Sequence, residues 1–122
     1  MSIVQVPWKA AKDQFDGDEL KRYIGLTERS LPNFAQLTEY CRGALVSLVY
    51  NRGAFFSIPE AKDPEDRYVE MRQIYAHMCA ENYRAIPAEI RRMRRLWVGV
   101  PDMAGVVTRR VLEADLFELG MQ

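Results

Sequence analysis

The chain has 122 residues, 48% apolar and 28% charged, with no net charge. That length supports one domain with one core. The composition excludes a disordered chain, and the charge balance argues against a protein that wraps nucleic acid through many phosphate contacts. The mild basic excess lies after residue 70, where every cation is an arginine. A weakly basic face is compatible with an anionic polymer.

The N-terminal text MSIVQVPWKAAKDQF has no apolar run suited to a signal peptide, and no stretch approaches the ~20 apolar residues of a membrane helix. The protein is expected to be made in the cytoplasm. In chain order, a first helix is expected over Pro7 to Tyr23, with Trp8, Ala11, Phe15 and Leu20 near one face and Gly25 as its stop. A second begins at Leu31-Pro32, because proline suits the first helical position, and carries Phe34, Leu37, Tyr40 and Cys41. GALVSLVYN, residues 43–51, is apolar almost all round and predicts a buried central helix ended by Arg52-Gly53.

A loop follows to Asp63, and Pro64-Glu65-Asp66 has the character of a first helical turn. The helix beyond it carries Tyr68, Met71, Ile74, Tyr75 and Met78 as a stripe. Pro87 and Glu89 open a short helix with Ile86, Ile90, Met93, Leu96 and Trp97 on one side and Arg91, Arg92, Arg94 and Arg95 on the other. Gly99-Val100-Pro101 breaks the chain before a last helix from about Asp102. No segment shows sustained period-two alternation, so the expected fold is all-α: five to six helices packed around a central buried helix, in a single helical domain over residues 1–122.

The sequence offers little to a metal. Cys41 and Cys79 are isolated, His77 is the only histidine, and a zinc site needs three or four such ligands. No metal and no cofactor are expected. Both thiols are expected to be free and buried, although spacing alone does not exclude a disulfide. His77 has no catalytic partner nearby in sequence and is expected to be structural.

Three separated blocks carry a resemblance. GALVSLVYNRG at 43–53 is similar to the central helix of phage-type lysozymes, IPAEIRRMRRLW at 86–97 to a short helix that follows it, and GVVTRRVLEADLF at 105–117 to the closing helix. The resemblance implies a lysozyme-like C-terminal helical lobe from a family of muramidases (endolysins), glycoside hydrolases that cut the β-1,4 glycan of peptidoglycan. It implies action at the periplasm or cell wall, with peptidoglycan glycan strands as partner, no nucleic acid and no membrane span.

The family's catalytic acid stands in a Glu-x8-Asp/Cys-x5-Thr spacing, placed so that a raised-pKa carboxylic acid can protonate the leaving oxygen. Here Glu19 is followed at those distances by Glu28 and Phe34, and no other acid fits. The catalytic residue is therefore unknown. Either an N-terminal catalytic segment or partner chain supplies it, or the chain is a non-enzymatic glycan-binding or protein-interaction module; a further possibility is Glu19 acting with an unfamiliar partner.

By resemblance, Asn51, Arg109 and Trp97 bind substrate. Asn51 hydrogen-bonds the saccharide, or else merely caps its helix. Arg109 pairs with the catalytic glutamate, or else is solvated. Trp97 stacks on a sugar, or else belongs to the core. Arg110 lies about 100° further round the helix and is not expected to share a partner with Arg109. The arginine cluster 91–95 reads as a solvated face, or else as a phosphate or peptidoglycan contact.

Overall fold

The computed structural model describes residues 17–122; the expected start of the first helix, Pro7 to Asp16, lies outside the described residues. Among the described residues the fold is all-α, with no strand. The helices are α1 (Gly17–Ser30), α2 (Glu39–Arg52), α3 (Val69–Cys79), α4 (Ile86–Arg92) and α5 (Ala104–Gly120). None is long and apolar enough to cross a membrane.

The central helix is α2. Every residue from Gly43 to Val49 is buried, as its uninterrupted apolar text requires. Its start is fixed by Thr38, whose hydroxyl accepts from the Cys41 N–H and donates to the Gly120 carbonyl at 3.0 Å, tying the first turn of α2 to the end of α5. Its end is Gly53, at φ 82°, whose N–H closes on the Val49 carbonyl. α5 lies along α2 and α4 lies along α5. The core between them is filled by Ala44, Leu45, Leu48, Ile86, Ile90, Met93, Ala114, Leu116 and Phe117, all fully buried.

The boundaries differ from the sequence expectation in four places. Gly25 does not stop α1. A glycine inside a helix costs about 1 kcal/mol, and here that is outweighed by Tyr23, Ile24 and Leu26 packing on the core and by buried Thr27, whose hydroxyl donates to the Tyr23 carbonyl at 2.8 Å. Pro32 opens no helix: Asn33 adopts φ 64° and donates from Nδ2 to the Met78 carbonyl at 2.9 Å, leaving a single 3-10 turn over Phe34–Gln36. Tyr40 and Cys41 belong to the same helix as residues 43–51.

Pro64 to Asp66 form a turn ahead of α3 rather than its first turn. The reason is Asp63, buried, whose two carboxylate oxygens accept from the Arg67 and Tyr68 N–H groups at 2.8 and 2.9 Å and so cap the helix from outside it. The last helix starts at Ala104, because Asp102 sits at φ 65°.

Candidate polar seam between the central and closing helices

Where the C-terminal half of α2 meets α5, a polar cluster is built from both helices. Arg110 and Glu113 face α2 from successive turns of α5, and both are fully buried. The Arg110 guanidinium holds Glu113 as a fork: Nε donates to Oε1 at 2.7 Å and Nη2 to Oε2 at 2.9 Å. Its remaining Nη1 donates to Asn51 Oδ1 at 2.8 Å. From α2, Ser47 Oγ donates to Glu113 Oε2 at 2.5 Å. Burial pushes the Glu113 carboxyl above the ordinary glutamate range, and the Arg110 charge, its hydrogen bonds, Ser47 and Arg109 oppose that rise.

Arg109 takes a different route to the same carboxylate. Its Nε donates to Ser47 Oγ at 3.3 Å and stands 3.8 Å from Glu113 Oε2, while its guanidinium lies over the Tyr50 ring at 5.9 Å. The side chain keeps about a quarter of its surface in water (24%). The expectation that Arg109 and Arg110 cannot share a partner is thus corrected. An angular offset of about 100° separates their Cα positions, but long guanidinium side chains converge on Glu113 from i+3 and i+4 spacing.

Trp97 closes the other side of the cluster. Arg110 lies 5.5 Å from its ring and Arg52 lies 5.2 Å from it. Arg52 also covers Tyr68 at 4.8 Å and donates from Nη2 to the Arg67 carbonyl. Desolvation lowers the Arg52 pKa, and its buried Nε has no hydrogen-bond partner among the described residues. Trp97 is largely buried and forms the inner wall of a shallow depression of about 540 Å³ with Val98, Val100, Pro101 and Val107.

The three residues singled out by sequence therefore lie around one seam. Asn51 is exposed, Arg109 is partly exposed, and Trp97 is mostly covered. Sequence reasoning missed Arg110, Glu113 and Ser47. Two arginines followed by a glutamate at i+3 and i+4 signal an ion pair, but nothing local marks it as buried. Ser47 was hidden inside an otherwise apolar run.

The arginine face is not simply solvated. Arg91 binds Asp115 and Glu118 of α5, each at 2.7 Å, Arg92 binds Glu89, and Arg95 binds Glu70 of α3 at 2.7 Å. His77 meets Glu89 at 3.1 Å across the α3–α4 contact. Both cysteines are free; Cys41 is buried and donates to the Phe117 carbonyl at 3.3 Å, whereas Cys79, expected to be buried, is exposed because it lies on the outer side of the last turn of α3. Among the described residues no three His, Cys, Asp or Glu side chains converge as metal ligands would. Compared with family models, characterised proteins and solved structures, the chain has no match.

Proposed function

We propose that this chain is a lysozyme-like helical lobe that binds the glycan strands of peptidoglycan without cleaving them by its own described residues. One observation carries the reading. The three blocks that resemble phage-type lysozymes meet in space at a single seam, with Asn51 from the first, Trp97 from the second, and Arg109 and Arg110 from the third around Glu113. A sugar reaching the seam would meet the exposed Asn51 amide and the partly exposed Arg109 guanidinium, both donors suited to hydroxyl, carbonyl and carboxylate oxygens.

Glu113 is the acid of the cluster, yet it is a poor candidate for protonating a leaving group. It has no exposed surface, and Arg110 and Ser47 occupy both its oxygens. General acid catalysis needs a carboxyl within hydrogen-bond reach of the substrate. Glu19 stands half-buried in the first turn of α1, and it is followed by Glu28 and Phe34 where the family spacing has Asp or Cys and then Thr.

The test is co-sedimentation with purified peptidoglycan sacculi, paired with a turbidity assay. The chain is expected to be retained at low salt, with retention reduced by Asn51→Ala and Arg109→Ala, and to leave sacculus turbidity unchanged. No retention at low salt sinks the binding reading. Clearing of the suspension by the chain alone sinks the non-cleaving part.

A second reading, a protein-interaction module, draws on Val98 and Val100, which are 64% and 45% exposed at the rim of the Trp97 depression. Val98→Ser that abolishes a captured complex while leaving sacculus retention intact would favour it.

A further inference from the structure

We propose that Phe55 is a stacking platform for one sugar ring of the bound glycan, adjoining the Asn51 end of the seam. The proposal rests on the glycan-binding reading and adds a contact that the sequence did not indicate. Two adjacent phenylalanines follow α2 and are used in opposite ways: Phe56 is buried in the core, whereas Phe55 is 49% exposed.

The exposed ring is nonetheless held. A Cβ added at Gly53 would lie 2.6 Å from Phe55 Cε2 and 2.9 Å from Cδ2, so the ring rests directly on the glycine. Gly53 also needs its φ of 82°, which L side chains rarely adopt. On another side, Phe55 makes an edge contact with Tyr68, centroids 5.7 Å apart and planes at 67°. Tyr68 is in turn covered by the Arg52 guanidinium. The orientation of Phe55 is thus set by a glycine and an aromatic edge, while half its surface stays in water.

The chemistry around the ring selects the ligand. A protein partner needs roughly 800 Å² of surface on each side, far more than one half-exposed ring supplies, and polar Asn51, Arg52 and Ser57 lie within four residues of Phe55 in the chain. A single held ring with polar residues close by in the chain matches a pyranose: the sugar's C–H face lies on the ring, and its hydroxyl and amide groups reach side-chain donors. Asn51 Oδ1 is taken by Arg110, and Asn51 Nδ2 has no partner among the described residues. Asn51 is two residues from the glycine on which Phe55 rests.

The experiment is a binding isotherm on purified sacculi for the full chain and for Phe55→Ala, Phe55→Leu, Phe55→Trp, Asn51→Ala and Tyr75→Ala, each checked by thermal melting. Phe55→Ala and Phe55→Leu are expected to weaken binding about tenfold, the scale of one lost aromatic contact, with Phe55→Trp retaining it. Tyr75, an exposed aromatic on α3, is expected to be neutral. Leucine keeps apolar bulk without a planar face, so it reads the stacking even if alanine disturbs the loop. Binding of both the alanine and leucine variants within about twofold of wild type, with Asn51→Ala still weakened, overturns the Phe55 proposal and leaves the glycan reading standing. No retention of the unaltered chain overturns both.

Discussion

Two sides of α5 use the same chemistry, arginine on carboxylate, in opposite settings. At the α2 seam, Arg110 and Glu113 are both fully buried and are further bonded to Asn51 and Ser47. Toward the C-terminus, Arg91 of α4 binds Asp115 and Glu118 with 30%, 39% and 47% of the side chains exposed. The distances are nearly the same, 2.7 Å in each case. What differs is the water. A buried pair has given up the hydration of two ions, so its value lies in being complete; an exposed pair has given up little and gains little.

The largest predicted effect breaks the buried pair. Arg110→Met or Glu113→Ala alone leaves an uncompensated charge in the core and should cost about 3–5 kcal/mol in urea unfolding. Replacing both, Arg110→Met with Glu113→Leu, should recover most of that loss, because the desolvation of both ions disappears together. Additive losses in the double variant would show that the pair is a net source of stability rather than a conditional one.

Next in size is a packing test at the opposite end of the α2–α5 contact. A Cβ at Gly120 would lie 2.6 Å from Thr38 Oγ1, 2.7 Å from Cys41 Sγ and 2.9 Å from the Cys41 backbone nitrogen. Backbone cannot move aside as a side-chain tip can. Gly120→Ala should therefore cost about 1–3 kcal/mol, the range for overpacking a filled core, even though alanine favours helix by about 1 kcal/mol. A stability gain would mean that the two helix ends can separate freely, and would weaken the view of this contact as rigid.

The same contrast explains what the sequence made legible. The central helix, its end at Gly53 and the short α4 were readable because a long apolar run and a Pro-Ala-Glu first turn are local signals. The failures were all non-local. Gly25 continues a helix because distant core residues hold it, and Asp63 starts α3 from outside by capping backbone it is not part of. At the seam, Asn51, Arg109 and Trp97 could be named from resemblance, but the choice between Arg109 and Arg110 as the buried cation depends on which side of α5 meets α2. That is fixed by Ser47 and Glu113 finding each other across 66 residues.

Titration should separate the regions by sign. Glu113 has a raised pKa, so the folded state holds its proton to higher pH than the unfolded chain. Its stabilising contribution is complete below the ordinary value of about 4.3 and is lost as pH rises through the folded one. For Asp63, burial alone would raise the pKa, but the Tyr68 and Arg67 N–H groups and Arg72 together hold it low. Its contribution is present above about 3.9 and is lost as pH falls through the folded value. Relative to Asp63→Asn, wild-type stability should decline on acidification below about pH 4; relative to Glu113→Gln it should decline on moving upward from about pH 4.3. Parallel slopes in the two comparisons would contradict the assigned directions.

The smallest effect is expected at the exposed end. Arg91→Ala removes contacts to two carboxylates and should still cost less than about 1 kcal/mol, with most of the loss disappearing near 1 M salt, where screening acts within about 3 Å. Its bond to Glu118 holds that carboxyl below the ordinary range, so the residual contribution should also vanish as pH falls through the depressed value. The buried pair should be nearly indifferent to salt, since no mobile ion reaches it. A loss at Arg91 that rivals Arg110 and survives high salt would show that solvent exposure is not what separates the two pairs, and that α4 is anchored to α5 by charge rather than by Ile86, Ile90 and Met93.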